Sequence, residues 1–144
     1  MKAAIIIIIF FGVFSSCSNY RTISYRLGKS EVIYLMDIPK GYKFEGLAGS
    51  HELEKRFWYP DSSVIYITTF HNTINYNDIR KQGTYYDRFY ALPTIDTLTL
   101  EGVDSLGLLW KDKKLRHVTV GYSKVPENKK DIFEKIIISA RISK

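Results

Sequence analysis

The sequence predicts an α+β domain: an antiparallel sheet of about five to seven strands, with a C-terminal amphipathic helix and one or two short helices packed on it. Three observations carry that prediction. Short runs of β-branched and aromatic residues are punctuated by Pro, Gly, Asp and Ser. Two pairs of these runs are joined by polar segments of hairpin-turn length. One stretch near the C-terminus repeats its apolar residues with helical spacing.

The first strand is expected over 31–38 (E-V-I-Y-L-M-D-I), ending at Pro39, with Gly41 in the turn that follows. Tyr42 and Phe44 alternate with Lys43 and Glu45, which reads as a brief second extended piece before a loop at 46–50. The clearest hairpin pairs 53–59 with 64–70 around Pro60-Asp61-Ser62-Ser63. There proline presets φ, and the aspartate and serines can bond back to the backbone. A polar loop follows at 71–78, then a short helix at 78–82 capped by Asn77 and stopped by Gly83. Periodicity does not decide between helix and strand for the aromatic 84–90 segment. Beyond Pro93, 94–100 reads as strand, and 103–110 and 115–122 read as a second hairpin around Lys111-Asp112-Lys113-Lys114. In the last of these strands Arg116, Val118, Val120 and Tyr122 share a face. The helix starts near Pro126 and Glu127, and Ile132, Phe133, Ile136 and Ile137 form its apolar stripe.

A segment of a different kind stands before the domain. Residues 1–17 read M-K-A-A-I-I-I-I-I-F-F-G-V-F-S-S-C. Lys2 gives a charged start and 3–14 an apolar stretch of signal-peptide length, short of the roughly 20 residues of a spanning helix. The ending resembles bacterial lipoprotein signals, in which small residues precede a cysteine that becomes diacylated and N-terminal. Ser15, Ser16 and Cys17 match, while Phe14 stands where leucine is usual. The resemblance implies a signal peptide over 1–16, a lipidated tether over 17–30 and a single domain over 31–144. It implies a membrane partner, reached through the lipid on Cys17. Ser18, in place of an aspartate that favours inner-membrane retention, points to the outer membrane facing the periplasm. Cys17 is the sole cysteine, so no disulfide within the chain supports the fold.

The 21 Lys and Arg exceed the 15 Asp and Glu, for a net charge of +6. These charges are interleaved along the chain, clustering only at 111–116 and 129–130, which argues against a nucleic-acid partner. Anionic headgroups or an acidic protein suit the surface better.

The order of elements is similar to that of Mog1/PsbP-like small domains over 31–142. The features that carry the likeness are the I-P-K-G-Y turn, the central hairpins, G-L-L-W followed by H-V-T-V-G-Y, and the final F-E-K-I-I-I-S helix. That resemblance implies a binding or assembly module, by fold analogy alone.

No motif for catalysis, a metal or a cofactor stands out. His51, His71 and His117 are far apart, and His51-Glu52-Leu53-Glu54 lacks the H-E-x-x-H spacing of a zinc site. Gly102-Val103-Asp104-Ser105 lacks the glycine of a nucleophile elbow, and no glycine-rich phosphate loop occurs. A non-enzyme without a cofactor is the expectation. The unusual feature is aromatic, with ten Phe, Tyr and Trp residues between Phe57 and Tyr90 and two arginines among them. Tyr, Trp and Arg dominate interface hot spots, while small sheets also need large core residues. Phe57, Phe70 and Phe89 are expected in the core; Trp58, Tyr76, Arg80, Tyr85, Tyr86 and Arg88 are the candidate binding residues. The expected function is a membrane-anchored periplasmic protein-binding module, in particular an immunity protein against a periplasm-delivered toxin. The alternatives are an accessory subunit of an envelope or secretion complex and, behind it, a hydrolase or carbohydrate-binding protein.

Overall fold

The computed structural model describes residues 19–47, 54–69 and 98–143. The signal segment with Cys17, residues 48–50 of the loop expected at 46–50, Phe70, the expected loop at 71–78, the expected helix at 78–82, the 84–90 segment with Phe89, and most of the strand expected at 94–100 lie outside the described residues. The described part is α+β, as the patterning predicts, with nine strands in two antiparallel sheets and a C-terminal helix.

The smaller sheet has the order β1-β2-β9, from β1 (Tyr20–Arg26), β2 (Ile33–Pro39) and β9 (Arg141–Ser143). The larger has the order β3-β4-β5-β8-β7-β6. Its strands are β3 (Lys43–Leu47), β4 (Glu54–Trp58), β5 (Val64–Thr68), β6 (Thr99–Val103), β7 (Leu109–Leu115) and β8 (Val118–Val125). A 3₁₀ turn (Glu127–Lys129) leads into α1 (Lys130–Ser139).

One apolar core joins all three pieces. Tyr25, Tyr34, Met36 and Ile38 from the smaller sheet meet Phe57, Ile65, Ile67, Val120 and Tyr122 from the larger, with Phe133, Ile136 and Ile137 from α1. The helix runs beside β2 and over β8, so the smaller sheet and α1 together form one layer covering the larger sheet. Ser139 ties that layer together. β2 continues past its short partner β9, and the Asp37 N–H that would be left open there donates to Ser139 Oγ at 2.9 Å.

The first hairpin forms as the sequence predicts. Ser62 N–H donates to Tyr59 O, and Asp61 Oδ1 accepts from both the N–H and the hydroxyl of Ser63. Four expectations need correction. The tether expected up to residue 30 contains β1, whose Ile23 and Tyr25 face the core while Thr22 and Ser24 face away. Its T-I-S-Y alternation is a strand pattern inside a polar stretch. The loop expected at 46–50 does not include Gly46 and Leu47, which still pair with β4.

The third correction shifts the second hairpin. Lys111-Asp112-Lys113-Lys114 is strand, and the turn is Arg116-His117, with Arg116 at φ +53°. Arg116 therefore leaves the face that Val118, Val120 and Tyr122 share. The charges alternate across β7, so each finds a partner or a covered site instead of solvent. The preceding turn lies at 104–108, where Asp104 Oδ1 accepts the N–H groups of Leu106 and Leu108, and Gly107 takes φ +79°. Strand β6 accordingly lies nearer Val103 than the 94–100 reading. Finally, Ile132 is 41% exposed, so the helix buries Phe133, Ile136 and Ile137 only.

Candidate functional site

Among the described residues, the layer of β1, β2 and α1 leaves two flanks of the larger sheet uncovered, one beyond β1 and one beyond α1. The first is a groove of about 410 Å³ between the edges of the two sheets. Strand β1 contributes Arg21, Thr22, Ile23 and Ser24, and the facing sheet contributes Tyr42, Phe44, Lys55 and Phe57. The register explains the set. Phe44 pairs with Phe57 and Gly46 with Lys55, so the core-facing side of β3 and β4 continues past the cover that β1 provides.

The groove has an apolar wall and a cationic rim. Phe44 is 54% exposed, with its ring 5.6 Å from that of the buried Phe57. Tyr42 meets Phe57 edge-on at 5.0 Å. Lys55 reaches across, its ammonium 3.4 Å from Ser24 O and 5.5 Å over the Tyr25 ring. Among the described residues no carboxylate lines the groove, whereas Arg21 and Lys55 do. A recess of about 260 Å³ adjoins it, lined by Arg21, Lys40, Gly41 and Tyr42. Gly41 turns the chain there at φ +90°, a conformation that resists a side chain. An extended segment with apolar and acidic side chains fits this arrangement.

The flank beyond α1 is a hollow of about 430 Å³ lined by Thr99, Glu101, Lys111, Lys113, Glu134, Ile137 and Ile138. Lys111 Nζ lies 2.8 Å from both Glu101 Oε2 and Glu134 Oε2, and the Tyr122 hydroxyl donates to Glu134 Oε1 at 2.7 Å. Burial pushes the Glu134 carboxyl upward, but the Lys111 and Tyr122 donors outweigh it and hold the group below its ordinary range. An ionised carboxylate with its lone pairs engaged is poorly suited to donating a proton near neutral pH.

The face of the larger sheet away from α1 carries polar groups that are buried. The Tyr66 hydroxyl donates to Asp112, and both residues are fully buried. Glu54 pairs with Arg56, and burial lowers the pKa of Lys114. Gly121 lies beneath this cluster, where a Cβ would collide with Asp112 Oδ1, the Tyr66 hydroxyl and Lys111 O. Among the described residues, no group of three or more His, Cys, Asp or Glu is placed to hold a metal ion. No helix of the described residues is long and apolar enough to cross a membrane.

Of the candidate binding residues, only Trp58 is described. It is half-buried on the face away from the groove, where its Nε1 donates to Glu45 Oε2 at 2.7 Å and Lys124 Nζ lies 5.6 Å from its ring. Tyr76, Arg80, Tyr85, Tyr86 and Arg88 lie outside the described residues, as does Cys17. The groove residues were not singled out from sequence, because Arg21, Thr22 and Ser24 fall in the expected tether. The signal that could have found them is the alternation around Ile23 and Tyr25. No family model, no curated protein and no solved structure matches the chain.

Proposed function

We propose that this chain is a membrane-anchored periplasmic lipoprotein acting as a non-catalytic protein-binding module, in the particular form of an immunity protein against a periplasm-delivered toxin. The observation that carries the binding reading is the flank beyond β1: exposed Phe44 and half-buried Tyr42 beside Arg21 and Lys55, with no carboxylate in the lining among the described residues. Exposed aromatic surface next to cations is the composition of an interface hot spot for a partner with acidic side chains. The M-K-A-A to F-S-S-C segment supports the anchor, and the likeness to Mog1/PsbP-like domains agrees with a binding role. A soluble toxin is inhibited by occlusion alone, so such a module needs a surface and no reacting groups.

The test is co-purification of the full chain with its partner from envelope extracts, with the product of the adjacent gene as the first candidate. Titration of Phe44→Ala/Lys55→Glu against that partner follows. Affinity should fall by about 2 kcal/mol, roughly thirtyfold, with the melting curve nearly unchanged. Unchanged affinity places the interface elsewhere, first at Tyr76, Arg80, Tyr85, Tyr86 and Arg88. Recovery of a large multi-subunit assembly instead of a toxin favours the accessory-subunit reading.

A further inference from the structure

We infer that the end of the domain formed by Asn19, Tyr20, Arg21 and the 40–43 turn docks directly on an anionic bilayer surface, so that the protein lies on the membrane and does not hang from it. The inference rests on the proposed acylation of Cys17 and adds what the fold does with it. Because β1 starts at Tyr20, only two residues, Ser18 and Asn19, and hence three Cα–Cα steps, separate Cys17 from the folded sheet. Fully extended, they reach about 11 Å. A diacylated residue 17 would therefore hold Tyr20 within about 11 Å of the glycerol level, comparable to the headgroup layer and to the Debye length.

What stands at that end suits the position. Tyr20 pairs with Pro39 across the smaller sheet, Lys40 N–H donates to Asn19 O at 2.9 Å, and β3 begins at Lys43. These contacts bring Arg21, Lys40 and Lys43, three exposed cations, to one end of both sheets. No ion pair to any of them occurs among the described residues, so they face the surface potential uncompensated. Tyr20 is 36% exposed and Tyr42 half-buried, an amphipathic pair of the type enriched at membrane interfaces. The recess of about 260 Å³ between Arg21, Lys40, Gly41 and Tyr42 offers a phosphodiester two cations and a bare glycine backbone. The opposite end of β1, at Arg26, stands about 20 Å away along the strand.

The experiment uses the full chain, expressed in a lipoprotein-processing host and purified, with the N-terminal peptide weighed to read acylation directly. It is reconstituted into phosphatidylcholine vesicles, into vesicles with about one-third phosphatidylglycerol, and into neutral detergent. A membrane-impermeant amine reagent then reports each lysine by mass spectrometry. Attraction to the anionic surface stabilises the unreactive ammonium form, so Lys40 and Lys43 should react about fivefold more slowly in the anionic vesicles. Lys29, beyond the far end of β1, should be unaffected. Acylated protein whose Lys40 and Lys43 react equally in all three media overturns docking and leaves the anchor standing. Equal slowing in neutral and anionic vesicles overturns headgroup recognition.

If residue 17 carries no lipid, the anchor reading fails, and docking is judged separately by sedimentation of the unacylated full chain with anionic vesicles. Arg21→Glu/Lys40→Glu/Lys43→Glu should weaken that binding at least about a hundredfold. Absent or unaltered binding overturns the inference.

Discussion

At Asp61 a single carboxylate closes the β4–β5 turn and reaches the start of the helical segment. Its Oδ1 accepts from Ser63 and its Oδ2 from Lys129 Nζ at 2.5 Å. Burial pushes the carboxyl up, but the Lys129 and Ser63 donors bring it down to about 2. A folded-state pKa below the unfolded value stabilises the fold above the unfolded pKa, and that contribution is lost as pH falls from about 4 to about 2. The pair is partly exposed, so its contribution is about 1 kcal/mol after solvent screening. Asp61→Asn should therefore reduce the stability lost on acidification over that window by about 1 kcal/mol, read from denaturant melts at pH 7 and pH 2.5. Gly121 gives the opposite kind of sensitivity. Gly121→Ala should destabilise by about 1–3 kcal/mol, since the new methyl has nowhere to go between Tyr66, Asp112 and the β7 backbone. A chemical-denaturation midpoint equal to that of the unsubstituted protein would contradict this packing.

At the scale of elements, α1 is held by a stripe narrower than its sequence suggests. Phe133 stacks edge-on against Tyr59 and Tyr122, and Ile136 is fully buried, while Ile132 remains in solvent. Ile136→Asp should abolish cooperative melting, because burying an unpaired charge costs several kcal/mol, comparable to the whole stability of a small domain. Ile132→Asp should change stability by less than about 0.5 kcal/mol. The contrast between these two, measured by thermal melts, checks the helix orientation. β7 shows how an element can carry a misleading composition. Its K-D-K-K run is polar enough for a turn, yet Lys111 bridges Glu101 and Glu134 while Asp112 turns to the other face and meets Tyr66.

At the scale of the molecule, β1 binds the chain's N-terminal part into the fold. It pairs along its full length with β2 and places Tyr25, 1% exposed, in the core. A chain beginning after residue 26 should lose about 3–5 kcal/mol from that ring alone, on the scale of large-to-small core substitutions. The strand pairing goes with it. Such a chain should melt without a cooperative transition, whereas one beginning at residue 19 should melt as the full chain does. Equal melts for the two would return this segment to the role of a tether.

The sequence alone determined the fold class, the first hairpin with its Pro-Asp-Ser-Ser turn, the second strand before Pro39 and the helical stripe around Phe133 and Ile136. These features are local: period and turn chemistry act over a few residues. Three things depended on tertiary structure. Thr22–Tyr25 looks like linker until β2 and the core give it a ladder and a buried face. The charged run of β7 looks like a turn until Glu134 and Tyr66 arrive from distant parts of the chain. Among the described residues, the groove lies where the layer of β1, β2 and α1 stops short of the edge of the six-stranded sheet. No single segment encodes that mismatch, since it is a property of how two layers meet.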